Sequence, residues 1–257
     1  MAYSGTSFTL DLPTTAGFGV GRHGAEWSYH GFTGPEYWAD LSPEYEVCRT
    51  GQQQSPIDIT SAHAHPQLEL YFEYEPFSPI RATIARHTVQ IAGVPSCGIT
   101  IHGQWYELLE LHFHTPAEHR IDGELSVLEL HLVHQSADQR LAVISVLFEE
   151  GAQHESLSHI FSNLPPVGSA DHVVGGGLDL YALLPENLAC FQYTGSRTMP
   201  PCQEGVKWFV LKQRLSLSTT QLGIFRERFS FNARPIQRLN GRTAGDTCLA
   251  GVRDYAV

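Results

Sequence analysis

Short runs dominated by β-branched, leucine and aromatic residues, broken by glycine, proline and aspartate, set the pattern of this chain. Five stand out: 82–93 (ATIARHTVQIAG), 98–114 (GITIHGQWYELLELHFH), 125–135 (LSVLELHLVHQ), 141–150 (LAVISVLFEE) and 205–217 (GVKWFVLKQRLSL). Their composition and turn-forming borders predict β-strands. Helical periodicity is scarce, with 155–164 and 219–229 the best matches and Ser218 a fitting N-cap for the second. The first 60 residues, rich in Gly, Pro, Tyr and Trp, read as a long irregular segment. Gly175-Gly176-Gly177 reads as a loop within one domain, and no internal repeat is visible. The pattern predicts one strand-dominated domain.

Composition narrows the function. The 257 residues, 42% of them hydrophobic, can bury a substantial core. A net charge of −11 argues against nucleic acid and anionic membranes as partners. No apolar run reaches the ~18 residues of a membrane-spanning helix. The N-terminal stretch lacks the charged and apolar regions of a signal peptide, although a removed leader would leave the same start. The five cysteines (Cys48, Cys97, Cys190, Cys202 and Cys248) include no CxxC pair, so a zinc ribbon or thioredoxin motif is not expected. Fourteen histidines make metal or proton chemistry worth testing.

Residues two apart in a strand share a face, so His112 and His114 point the same way and Phe113 points opposite. Asp122-Gly123 signals a hairpin. If its loop has two residues, His114 faces His131 directly and His112 is their diagonal neighbour. The same parity puts Glu110 on the face of His112 and His114, and Glu129 on that of His131. Carboxylates there can accept the second ring N–H of a metal-bound imidazole. Three neutral histidines with an open fourth position suit catalytic zinc. A single strand histidine is more often an ordinary core or surface residue; three on one face with carboxylates behind them favour a metal site. His154-Glu155 with His159 resembles HExxH, but its second histidine comes one residue too late for a shared helical face. HFHTPAE also fits the start of a cupin metal motif, which leaves iron or manganese open at this point. A GxSxG elbow is absent.

Nearly the whole chain resembles the α-class carbonic anhydrase family. EWSYHGFTGPEYW (26–38), QQSPIDI (53–59), RHTVQI (86–91), HFHTPAEH (112–119), ELHLVH (129–134), LAVISVLF (141–148), GSRTMPPCQEGVKW (195–208) and FNARPIQRLNGR (231–242) follow in family order. The resemblance implies a β-rich α+β domain over 26–257, with a large, mostly antiparallel central sheet of about ten strands and short peripheral helices. Residues 1–25 would be an irregular N-terminal extension. It also implies a lyase that hydrates carbon dioxide reversibly, with zinc-bound hydroxide as nucleophile.

By that resemblance His112, His114 and His131 are the Zn2+ ligands. Thr198 accepts a hydrogen bond from the nucleophile and Glu118 is its carboxylate partner. Glu110 and Glu129 stand behind the ligands, and His119 and Tyr193 form a buried pair beneath them. Val133, Val143, Arg197, Met199, Val206 and Trp208 line the substrate pocket. His87 is the proton shuttle, with Tyr29 and Gln90 ordering its waters. Cys48 and Cys202 form a disulfide, which points to a secreted, periplasmic or organelle-lumenal location. Cys97, Cys190 and Cys248 have no counterpart and are expected to be reduced. The expected partner is the small-molecule substrate, with a homodimer left open.

Three positions depart from the family pattern. Arg197 stands where leucine is usual, Met199 where threonine is usual, and Glu110 where glutamine is common. A cation at 197 would narrow the pocket or favour anions, while a carboxylate at 110 would enrich His112 in electron density. A binding or storage protein with weak hydration, for which Arg197 and Met199 are the argument, is the competing expectation.

Overall fold

The computed structural model describes residues 25–85, 87–166 and 172–252. All of the expected N-terminal extension except residue 25 lies outside them. Ten strands carry the architecture: β1 (Leu68–Glu73), β2 (Arg81–Ala85), β3 (Thr88–Ala92), β4 (Gly98–Ile101), β5 (Gln104–His114), β6 (Leu128–Ser136), β7 (Leu141–Glu150), β8 (Ala189–Ser196), β9 (Glu204–Leu211) and β10 (Ala244–Val252). They belong to one 13-stranded sheet, in the order β6-β7-β9-β8-β10-β1-β4-β5-β3-β2, and β6 also pairs with β5. Most junctions are antiparallel as expected, but β7–β9 and β10–β1 run parallel, so the sheet is mixed.

The predicted run 82–93 folds into the hairpin β2–β3, with Ala85 opposite Thr88. The run 98–114 breaks at His102-Gly103, where φ is 48° and 77°, the positive values a tight hairpin turn requires. The two predicted helices are α1 (Glu155–Ser162) and α2 (Thr219–Arg228). Ser218 caps α2: its Oγ accepts the Gln221 N–H while the Gln221 side chain accepts the Ser218 N–H. Gly175–Gly177 follows the two-residue strand His172–Val173, which pairs with β2, and so turns within the sheet.

Side-chain alternation explains where the site lies. Leu111 and Phe113 of β5, with Leu130 and Leu132 of β6, enter the main core, which includes Phe72, Ile91, Phe148, Phe161 and Phe225. Residues of opposite parity point to the other face. There a second cluster, including Ile57, Ala117, Val133, Val143, Tyr193, Val206 and Trp208, meets the histidines, with Trp208 packed against His131 and His119. Both faces are covered, as the near-continuous burial of β6 and β7 shows.

The β5–β6 register differs from the expectation. His131 pairs with His112, and His114 pairs with Glu129. The hairpin at Asp122-Gly123 does form, with Ile121 opposite Glu124 and Arg120 opposite Leu125. Its strands, however, leave the large sheet and join Asp58–Ile59 in a separate three-stranded sheet. Five residues (115–119) then lead from β5 into the hairpin, against three (126–128) from the hairpin to Glu129. That inequality slides the register by two positions. An even slide preserves parity, so every side chain keeps its face.

Candidate metal centre

Each of the three histidines has one ring nitrogen occupied by a protein acceptor. His112 Nδ1 donates to Glu110, whose Oε2 lies 2.9 Å away. His114 Nδ1 donates to the Asn232 carbonyl at 2.7 Å. His131 Nε2 donates to Glu129 Oε1 at 2.7 Å. These bonds fix all three tautomers and leave His112 Nε2, His114 Nε2 and His131 Nδ1 as lone-pair atoms. One ligand atom from each of the three lies within 4.8 Å of the others, and all three residues are buried.

The donor set fits a metal. His114 Nε2 is a buried polar atom without a hydrogen-bond partner, an arrangement that is costly unless something else satisfies it. Burial and the neighbouring His131 and His112 hold the His114 pKa well below the usual range. Burial lowers His131 to about 4 against the opposing pull of Glu129. His114 and His131 are therefore neutral imidazoles at pH 7, the protonation state metal ligation needs. His119, Glu129 and His131 also approach one another, but there the carboxylate takes N–H donors from both rings.

Glu129 is the anchor beneath the site. Its Oε1 accepts from His119 Nδ1, His131 Nε2 and Ser145 Oγ, and its Oε2 from the backbone N–H of Glu118 and His119. Burial would raise this carboxyl, but His119 and His131 outweigh it and hold the pKa well below the usual carboxylate value. His119 Nε2 in turn accepts the Tyr193 hydroxyl at 2.6 Å, and Tyr193 meets Ser55. The expected pair beneath the ligands is thus one stretch of a longer chain.

Glu118 lies in the segment between β5 and the hairpin. Its Oε1 accepts the Arg234 N–H at 2.8 Å, and its Oε2 lies 3.5 Å from His114 Nε2. Burial and then Glu129 push its pKa well up, while Arg234 and the Thr198 hydroxyl pull it down. Thr198 follows β8 and is buried. Its loop is tied down on several sides. Arg197 N–H donates to Gln203, Gln54 donates to the Cys202 carbonyl, and the Cys48–Cys202 disulfide forms as expected. The buried Arg234 guanidinium closes the same corner with bonds to Gln54, Ser55 and the Cys48 carbonyl. Cys97, Cys190 and Cys248 are free thiols.

A cavity of about 30 Å3 opens beside the histidines, lined by Glu110, His112, His131, Val133, Leu141, Val143, Arg197, Thr198, Met199, Val206 and Trp208. All six residues expected for the pocket are in its wall. His87, Tyr29 and Gln90 are not. His87 Nε2 bonds the Trp27 carbonyl at 2.9 Å, and its ring packs on Trp27 and Tyr29; Gln90 pairs with His112 across β3 and β5. His154 precedes α1 and His159 bonds the Gly175 carbonyl, so the near-HExxH stretch takes no part.

Asn232, Ser145, Arg234 and Leu141 are the site residues that sequence reasoning missed. Ser145 pairs with His131 across β6–β7, so strand register would have indicated it. Asn232 and Arg234 sit in an irregular stretch with no periodicity to read.

Comparison with known proteins bears on this geometry. A family model described as eukaryotic-type carbonic anhydrase matches residues 33–245. A carbonic anhydrase of Klebsiella pneumoniae is 38% identical over 224 residues, covering 85% of this chain and 89% of the relative. A carbonic anhydrase of a Nostoc species is 36% identical over 248 residues, covering 94% and 92%. The solved α-carbonic anhydrase of Thermovibrio ammonificans, in complex with the inhibitor sulfanilamide, superposes with a TM-score of 0.83 at 35% identity, covering 87% of this chain and all of that one.

Proposed function

The chain belongs to the eukaryotic-type (α-class) carbonic anhydrase family, and we propose that it hydrates carbon dioxide reversibly with a zinc ion held by His112, His114 and His131. The observation that carries this reading is the trio of buried imidazoles, each pinned at one nitrogen and turned by the other toward a common point. Zinc there would supply a Lewis acid that brings the pKa of water to about 7.

The chain's own residues do the rest. Thr198 donates its hydroxyl proton toward Glu118 and so keeps its oxygen as an acceptor. Only a nucleophile that bears a proton matches it, and its remaining lone pair is aimed at carbon. The Arg234 N–H opposes the rise in the Glu118 pKa that burial and Glu129 cause. Val133, Val143, Val206 and Trp208 offer carbon dioxide an apolar seat beside the ligands. His87, whose ring packs on Trp27 and Tyr29, takes the released proton outward, and Tyr29 and Gln90 order the intervening waters. The Cys48–Cys202 disulfide supports a secreted, periplasmic or lumenal location. No helix among the described residues is long and apolar enough to cross a membrane.

The test is stopped-flow hydration of carbon dioxide before chelation, after it, and after zinc is returned. Activity that vanishes and returns is expected. A zinc-loaded chain that does not hydrate carbon dioxide would overturn the proposal in favour of a binding protein.

A further inference from the structure

The alternation that aims one face of β8 and β9 at the histidines builds a second cavity on the other face. Tyr193 and Trp208 turn toward His119 and His131. Their neighbours Gln192 and Thr194, paired with Phe209 and Lys207 across β8–β9, turn the opposite way. There they border a cavity of about 320 Å3, whose wall also includes Leu68, Ile101, His65, His102 and Gly245. That volume lies in the range of small-molecule sites. Gly245 faces Gln192 across β8–β10. A Cβ there would meet the His65 ring at 2.8 Å and the Gln192 side chain at 3.0 Å, so glycine lets both side chains close in over the strand.

The wall combines an apolar side with one cation. Leu68, Ile101 and Phe209 belong to the main core, so the cavity borders an end of that core. Among the described residues Lys207 is the single Lys or Arg of the wall and no Asp or Glu lines it, in a chain of net charge −11. Lys207 is partly buried and makes no ion pair among those residues; its ammonium lies 5.8 Å from the centroid of the Tyr106 ring. Glu69, outside the wall, approaches His102 Nδ1 at 3.8 Å, and the His65 N–H is tied to the Asp246 carbonyl. A partly buried ammonium attracts a carboxylate more strongly than one in bulk water does. We propose that this cavity binds a small organic carboxylate, with its charged end on Lys207 and its hydrocarbon body on Leu68, Ile101 and Phe209. The site stands on the opposite face of the sheet from the three histidines and needs no metal.

Benzoate is a suitable probe, because it joins one carboxylate to a rigid apolar body, and benzamide is its neutral counterpart. Isothermal titration of each is compared in the zinc-loaded and the chelated protein, for wild type, Lys207→Gln and Thr194→Trp. Benzoate should bind equally with and without metal, and benzamide more weakly. Loss of the charge-assisted contact in Lys207→Gln should weaken benzoate roughly tenfold. The indole of Thr194→Trp should fill the cavity and abolish binding. Should Thr194→Trp fail to fold, Lys207→Gln, which keeps the length of the side chain nearly unchanged, carries the comparison. Benzoate affinity that vanishes with the metal, is unchanged in Lys207→Gln, or is absent in wild type overturns the proposal. Calorimetry needs no turnover: a chain that binds benzoate through Lys207 but does not hydrate carbon dioxide would defeat the proposed function and leave this inference standing.

Discussion

His112, His114 and His131 are held by a sheet, whereas Thr198 and Glu118 are held by ties between loops. In the first region, two adjacent strands supply the three histidines and the carboxylates behind them at spacings of two, so backbone parity aims every side chain. Local order is inherited from a ladder that exists for the core on its other face. In the second region nothing repeats. Glu118 and Thr198 meet because Cys48 is bonded to Cys202, 154 residues away, and because Arg234 bridges Glu118 to the Cys48 and Ser55 carbonyls. One region is positioned by secondary structure and the other by long-range links. The two should therefore fail under different insults.

The larger effect is expected in the loops. Replacing both Cys48 and Cys202 with serine removes a long cross-link and should lower stability by about 2–4 kcal/mol in urea unfolding. The sharper part of this prediction concerns activity: kcat should fall as the Thr198 loop loosens, while zinc content after dialysis stays at the wild-type level. Zinc loss in step with kcat would mean the two regions are not built separately.

The smaller effect belongs to the sheet and to acid. His134 lies on β6 three residues beyond His131. It is buried against the Tyr74 hydroxyl at 2.8 Å, and burial lowers its pKa to about 3. Folded His134 stays neutral where an unfolded histidine, with a pKa near ~6.5, takes a proton. The unfolded state thus binds more protons between these values, and stability must fall as pH drops through that window, by up to ~1.4 kcal/mol per pH unit for this group. Above ~6.5 the effect vanishes. His134→Gln should flatten the acid limb of the stability curve by about one proton; a limb of unchanged slope would show that His134 does not titrate this way.

The same division governs what could be read from the sequence. The shared face of His112, His114, His131, Glu110 and Glu129 followed from strand parity and a hairpin at Asp122-Gly123, and the register difference leaves that face unchanged because the slip is by an even number of residues. The slip itself was not legible: it comes from unequal segments, 115–119 against 126–128, around a hairpin that leaves the sheet. Strands β1, β8 and β10 were not singled out, since β8 and β10 carry glycines and polar residues in buried positions. Glu118, Thr198 and the disulfide were legible only through family resemblance, because no local pattern connects residues brought together by loops. Asn232 shows the limit most plainly. Its backbone carbonyl, which any residue would supply, orients His114, while its side chain holds the backbone of His87, Phe113 and Thr115.

The central claim is that three imidazoles on two strands share one metal and leave a position open toward the cavity. X-ray absorption at the zinc edge of the reconstituted protein tests it most directly. The account predicts a four-coordinate ion with three imidazole nitrogens at about 2.0–2.1 Å and one light oxygen donor. A sulfur in the shell, a carboxylate in place of an imidazole, or six-fold coordination would contradict it.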